Sequence, residues 1–483
     1  VAAQEIAEAD VEQLVALREK SLLARSESSK RYVLHPVIRA FAAEKRDPTD
    51  PAPQKHAEYY LTLLTQHTEP LQKERPQESI HLLEPDIENT RRAWQNGLSA
   101  QKGELLLNAL TSLSIYYQLR GLAHEGEAVM HSTMSAATDW GDECAPLVIR
   151  AGLERTRFQN RLGQYRLAMQ TIQSTLKLAE QCADRWAEGM GQVWWGESLW
   201  RLGKYSAAEK KLAAALKLAQ QLEDDEIIGW CHHQLGIVND IQSDPDNALI
   251  HFEKARQKWE ALDHAQNLSN SLNSIGIVNL HKEDFDSAQK ILESALQLCN
   301  KIGNQHVQAT ILNNLSIISS RQNDYEGANY YLRLGLELAT VNGNLTAQAE
   351  ILNNLGRNYL ILQEPDTAAS ALEQGLETSQ LIGEPQVQIS TMINFARLKI
   401  LQGDISTADA TYRQALQIAR EFNLKHYEFE VFINMAQQWT DVDKATAKQY
   451  GAQAKTLANS LQNPTFVNRV EKVMVRLDRA EGK

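Results

Sequence analysis

Alanine recurs at forty-residue intervals along most of this chain, at Ala128, Ala168, Ala208, Ala248, Ala288, Ala328, Ala368 and Ala408. Twelve residues ahead runs a second small column: Thr156, Gly196, Gly236, Gly276, Ser316, Gly356, Ala396 and, in a further copy, Ala436. Just before it stands an apolar column, Trp195, Leu235, Ile275, Leu315, Leu355, Phe395 and Met435. A third small column, Thr175, Ala215, Ala255, Ala295, Gly335, Gly375 and Ala415, follows each alanine by seven. A fixed period of this length constrains the fold more than any composition does, because each unit buries its apolar face only against its neighbours.

Each unit reads as two antiparallel helices, A and B. The small residue of A and the alanine of B are expected where the two cross most closely, where larger side chains would hold them apart. Apolar residues such as Ala288, Ile291, Leu292, Ala295 and Leu296 keep helical spacing along B. Helix B should stop at Asp263, Gly303, Gly343, Gly383 or Asn423, residues that tolerate left-handed backbone. Those breaks exclude a long coiled coil. The pair around Ala128 carries Tyr116 at the small position and reads as a degenerate first repeat, while 464–483 reads as a polar-faced capping helix.

These offsets resemble the tetratricopeptide repeat, in a forty-residue version like that of kinesin light chains and bacterial signalling ATPases. The resemblance implies an all-α, right-handed superhelix of about eight helix pairs over 141–462, a binding surface rather than an enzyme. Residues 10–46 have another texture: a helix through Leu14–Lys20, strands at Ser21–Arg25 and Tyr32–Leu34 around a polar turn (Ser26–Lys30), and a helix from Pro36. Leu14, Leu17, Lys20–Leu23, Arg31–His35, Arg39, Phe41 and Glu44 resemble the winged-helix segment of STAND-type (NB-ARC-like) ATPases. His56–Tyr60, Glu88–Trp94 and Arg120–Gly126 resemble the helical arm that follows it there. The expected organisation is therefore a partial winged-helix domain (1–47), a helical arm with the degenerate repeat (48–140), the repeat domain (141–462) and the capping helix (463–483). The start at Val1 suits a fragment whose nucleotide-binding domain lies upstream.

Net charge of −12 argues against a general nucleic-acid or anionic-membrane binder. No Gly-x-x-x-x-Gly-Lys-Ser/Thr phosphate loop occurs. Cys144, Cys182, Cys231 and Cys299 form no metal-binding spacing and read as free thiols on buried helix faces, suiting a reducing cytoplasm. Cys231-His232-His233 points three ways around a helix, and Gly196-Glu197-Ser198 lacks the second glycine of a nucleophile elbow. No catalytic residue, cofactor or metal is expected.

Two residues before the small position stand Gln234, Ser274, Asn314, Asn354, Asn394 and Asn434, with Asn273, Asn313 and Asn353 one residue earlier. Asparagine is a mediocre helix former, so this repetition needs a reason. One reading is a ladder on the concave face that grips a peptide backbone, since each amide offers a donor and an acceptor; the column resembles the asparagine ladders of tetratricopeptide proteins that bind extended peptides. The other is a lock between neighbouring repeats, and both can hold. The same register puts Arg157, Arg357, Arg397 and Gln437, then Arg161, Arg201, His281 and Arg321, along the groove, suited to carboxylates or phosphates. Ile237, Ile277 and Ile317 lie between, and Trp194, Trp200 and Trp230 are candidates for an aromatic wall, with Trp195 buried in the core column. The resemblance implies a sensor arm that binds a peptide, protein or small effector and controls an ATPase. A plain scaffold for partner proteins and the effector-binding part of a transcription regulator are the rivals.

Overall fold

The computed structural model describes residues 2–25, 32–47, 49–73, 76–242, 244–382, 385–461 and 464–479. From 145 to 460 it holds eight helix pairs. The A helices are Ala145–Arg161, Arg185–Arg201, Asp225–Ile241, Ala265–His281, Gln305–Arg321, Leu345–Ile361, Pro385–Leu401 and Lys425–Gln438. Their B partners are Tyr165–Gln181, Tyr205–Leu222, Pro245–Ala261, Phe285–Ile302, Tyr325–Val341, Pro365–Ile382, Ile405–Glu421 and Lys444–Ser460. Most of these helices have 17 residues, joined by turns of two or three except for the five residues 439–443 in the last pair, and that sum is the forty-residue period. The extra length over a shorter repeat therefore lies in the helices, and the turns are tight.

Left-handed residues make the turns possible. Gly163, Gly203, Glu283, Asn323, Gln363 and Gly403 have positive φ between A and B. Ala183, Glu223, Asp263, Gly303, Gly343 and Asn423 do so between B and the next A. Gly383 lies outside the described residues. Side chains at the following helix starts accept from the backbone three residues on, among them Asp184, Asp224, Asp284, Asn304, Asp324, Asn344 and Asp404. The acidic run at 223–226 is part of this capping scheme.

The small columns are buried as expected, and their partners are now visible. A Cβ on Gly196, Gly236 or Gly276 would meet Leu212, Phe252 or Leu292 at 2.8, 2.7 and 2.6 Å. The partner is thus the large apolar side chain one turn beyond the alanine, not the alanine itself. From Ala168 to Ala408 every alanine of the first column is fully buried. Ala128 is exposed; the tight contact of the helix Ala123–Ala137 is made by Gly126 against Phe158 of the following A helix and not with its own partner Gly103–Leu119. That pair is out of register, and its membership of the alanine column is a coincidence of spacing.

Successive A helices pack closely on one another, and no pair of successive B helices does so to the same degree. The A helices therefore line the inside of a superhelix. Its windings touch. A Cβ on Gly163 would come within 2.6 Å of the Ile382 carbonyl oxygen, and one on Gly203 within 2.7 Å of that of Phe422. Gly121 presses on Asn342 in the same way, and Gln77 donates to the Asn300 carbonyl at 3.0 Å. These contacts recur after about five and a half repeats, which closes the groove into a lumen.

The arm (Ala52–Gln66, Thr68–Gln72, Pro76–Leu83 and Ile87–Ser99) forms the first winding beneath the repeats. At the other end Phe466, Val470, Val473 and Leu477 of the helix Pro464–Arg479 cover the last pair. Near the N-terminus, the helix Val11–Glu19 precedes an antiparallel pair of strands, Leu23–Arg25 and Tyr32–Leu34, and the helix Pro36–Lys45. The turn expected at 26–30 lies outside the described residues. No described helix is long and apolar enough to cross a membrane.

Candidate functional site

The asparagines meet across the seams between repeats. Asn314 Nδ2 donates to Asn273 Oδ1 at 2.9 Å, Asn354 to Asn313 at 2.8 Å and Asn394 to Asn353 at 2.8 Å. Each rung thus joins two residues 41 apart on consecutive A helices. The ladder ends where the chemistry fails. Asn434 would need a partner at 393, which is isoleucine, and its amide turns back to the Glu430 carbonyl at 2.8 Å. Gln234 instead accepts from Trp200 Nε1 at 2.8 Å. A second set of seam bonds was not anticipated: Ser198 to Asn160 at 2.8 Å, Ser320 to Asn358 at 3.2 Å, and Asn358 to Asn329 at 3.0 Å. The signal was present in the sequence as serines and asparagines two residues (Ser198, Asn358) or four residues (Asn160, Ser320) beyond the small column.

The tryptophans divide differently from expectation. Trp194 and Trp200 are buried, while Trp195, assigned to the core column, is only half-buried and lies under Lys211 Nζ at 3.6 Å. Leu235 and Phe395 of the same column are half-buried too, whereas Ile275, Leu315, Leu355 and Met435 are buried. Trp230 is half-buried and packs edge-on against Trp194 and Trp259. Arg157 lies over both Trp194 (4.8 Å) and Trp230 (5.5 Å), so the aromatic faces are occupied by a residue of the chain itself.

Around Arg157 is a cavity of about 160 Å³ between the arm helix Gly103–Leu119 and the first four A helices. Glu154 ties its walls together. It accepts from Arg157 at 3.1 Å, from Gln118 at 3.2 Å and from Ser114. Arg157 also donates to Gln118 at 3.0 Å, and Arg161 to the Gln118 carbonyl at 3.2 Å. Burial raises the pKa of Glu226 in this wall, with Asp224 adding to the effect. Burial pushes His264 down to about 4. Gln118 did not stand out in the sequence because the arm carries no repeat register to compare, and Arg150 and Glu154 form no column, since Met190 and Trp194 stand forty residues on.

Further along the lumen Arg321 is exposed and Arg357 and Arg397 are half-buried. Arg397 donates to Asn394 Oδ1 at 3.2 Å. Burial, reinforced by Arg321 and Arg397, holds Arg357 down at about 10. Ile237, Ile277 and Ile317 keep part of their surface open. Cys231 and Cys299 are buried, but Cys182 is exposed and Cys144 half-buried, since both sit at helix ends rather than on packed faces. His232 meets His251 at 2.9 Å while His233 faces Ser271. Among the described residues no cluster of three His, Cys, Asp or Glu could hold a metal ion.

Residues 189–261, 267–340 and 346–421 match the model of the tetratricopeptide repeat family. These are tetratricopeptide repeats. The tetratricopeptide superhelix is shared with solved structures at low identity. A Rap protein complexed with competence and sporulation factor superimposes with a TM-score of 0.57 at 13% identity, over 75% of this chain and 99% of that one. A STAND protein with a tetratricopeptide repeat sensor from Pyrococcus horikoshii gives 0.53 at 13% identity, over 89% of this chain and 62% of that one. This chain thus spans about three-fifths of the length of that STAND protein. The Rap conjugation gene regulator of plasmid pLS20, in complex with the Phr* peptide, gives 0.53 at 15% identity, over 75% of this chain and 96% of that one. No curated protein matches the sequence. At these identities the likeness is one of fold.

Proposed function

We propose that this chain is the sensor region of a STAND-type signalling protein, which binds a peptide or protein effector in the lumen of its tetratricopeptide superhelix. The observation that carries the reading is the lumen itself: touching windings enclose a passage whose wall is polar helix-A side chains. Asn273, Asn313, Asn314, Asn353, Asn354, Asn394 and Asn434 would present their second amide proton and remaining lone pairs to a peptide backbone. Arg321, Arg357 and Arg397 would meet its charged groups, and Trp200 and Trp230 would stand behind the wall of the earlier repeats. The Rap proteins of the same fold, described as complexes with a factor and with a peptide, support a binding role.

The arm and the N-terminal unit would act as the lever, with 1–47 as a partial winged helix docking a nucleotide-binding domain in a cytoplasmic protein. Val11, Val37 and Phe41 are exposed on that unit, which suits such a contact. An effector would then act by favouring one state of the whole protein. The test is to express the full chain, wash it, denature it and identify released peptides by mass spectrometry. A defined species should be retained by wild type and lost from Asn394→Ala/Arg397→Ala. Retention of nothing beyond control, or loss only on Tyr330→Ala at the outer face, would sink the proposal.

A further inference from the structure

We infer that Arg321, Arg357 and Arg397 form a seat for a phosphate monoester group. The inference rests on reading the lumen as the binding surface and names the chemistry of one station in it. The three arginines come from three consecutive A helices, Gln305–Arg321, Leu345–Ile361 and Pro385–Leu401. Arg357 and Arg397 hold the same repeat position, one residue past Gly356 and Ala396, and Arg321 sits one turn further along its own helix.

All three lack a counter-charge. In the first two A helices Arg150 pairs with Asp184 at 3.2 Å, Arg157 with Glu154 at 3.1 Å and Arg201 with Glu197 at 3.4 Å, while Arg161 donates to the Gln118 carbonyl at 3.2 Å in place of a carboxylate. Among the described residues none of Arg321, Arg357 and Arg397 has a carboxylate within ion-pair distance, although the chain carries 61 acidic residues against 49 basic ones. Arg357 has no hydrogen-bond partner there either. Three like charges on neighbouring helices, two of them half-buried, weaken the fold unless something else is gained. A ligand anion would supply that gain.

The arrangement also selects the anion. Arg321 and Arg397 stand on the two A helices that flank that of Arg357, and after burial it is their charges that hold Arg357 down at about 10. One carboxylate would leave the cluster strongly positive. A phosphate monoester brings close to two negative charges and three acceptor oxygens, and guanidinium groups match it in bidentate geometry. Arg397 is already oriented by Asn394, so the ladder positions part of the seat.

The experiment is calorimetric titration of the full chain with inorganic phosphate, O-phosphoserine and aspartate at constant ionic strength, for wild type, Arg357→Gln, Arg357→Lys and the outer-face control Arg333→Gln. Phosphate and O-phosphoserine should bind saturably, and aspartate at least about tenfold more weakly. Arg357→Gln should lose about tenfold, Arg357→Lys should recover part of it, and Arg333→Gln should match wild type. Without phosphate, Arg357→Gln should melt at or above the wild-type temperature, which separates lost binding from lost folding. A phosphoserine peptide that binds more tightly than O-phosphoserine supports a seat filled from a peptide; equal binding supports one filled by a small ester. Aspartate binding as tightly as O-phosphoserine overturns the inference, as does phosphate binding that ignores Arg357→Gln or never saturates. If phosphate fails while the copurified effector still binds, the seat is wrong and the lumen reading survives; loss of both removes both.

Discussion

The side-chain amide of Asn354 donates to the side-chain carbonyl of Asn313 at 2.8 Å, across the seam between two repeats, and both residues are buried. A sequence-distant pair thus holds two A helices in a fixed offset. Because Asn394 does the same with Asn353, one helix contributes an acceptor on one side and a donor on the other.

Removing a rung should therefore cost stability. Asn354→Ala and Asn394→Ala each leave a neighbouring carbonyl without its donor, at roughly 1–3 kcal/mol per site. Urea midpoints should fall for both, additively if the rungs are independent. Unchanged midpoints would show that the ladder does not lock the stack.

Contact between windings can be separated from turn strain with glycines. Gly163→Ala and Gly203→Ala combine an unfavourable φ with a Cβ pressed against a backbone carbonyl, whereas Gly403 has φ +81 and open space. Gly403→Ala should cost only the left-handed strain, about 1–2 kcal/mol. The other two should cost more and enlarge the maximum dimension seen by small-angle scattering. Equal effects at all three positions would mean the windings do not support one another.

Acid should loosen the molecule through its buried histidines. Burial holds His233 and His264 at about 4 and His306 at about 3, against about 6.5 in the unfolded chain. Between these values only the unfolded chain takes up the protons. The stability is thus intact above pH 6.5 and is lost as pH falls towards 4, at up to about 1.4 kcal/mol per pH unit for each ring. His233→Gln should flatten the drop in urea midpoint between pH 7 and pH 5 relative to wild type. A parallel drop in both proteins would exclude His233 as a contributor.

Glu154 is the clasp between arm and repeats. Glu154→Ala should free Ser114 and Gln118 and leave Arg157 without its carboxylate, at about 2 kcal/mol. Hydrogen exchange should quicken across 103–137 and stay unchanged over 345–421. Uniform protection throughout would show that the arm is held by its apolar core alone.

Much of the fold was legible because repetition made each position its own control. The columns of Ala168 to Ala408 and Gly196 to Gly356 fixed helix pairs, their phase and most of their ends. Ala128 shows the limit of that method: its spacing fits, yet without a matching helix-A residue it lies exposed. The candidate site was legible in part. The register named Asn314, Asn354 and Asn394 correctly as a column, but only their positions across two helices made them each other's partners. Ser114 and Gln118 had no column to reveal them.

The sequence by itself determined a stack of long helix pairs, since close helix packing demands small residues at fixed offsets and left-handed turns favour glycine and asparagine. Only the tertiary structure decided that the stack winds until Gly163 meets Ile382 and Gly203 meets Phe422, enclosing its inner face. The physical reason is that curvature is the sum of small rotations between neighbouring repeats. Each rotation is set by side-chain packing across a seam, which no single position in the chain encodes.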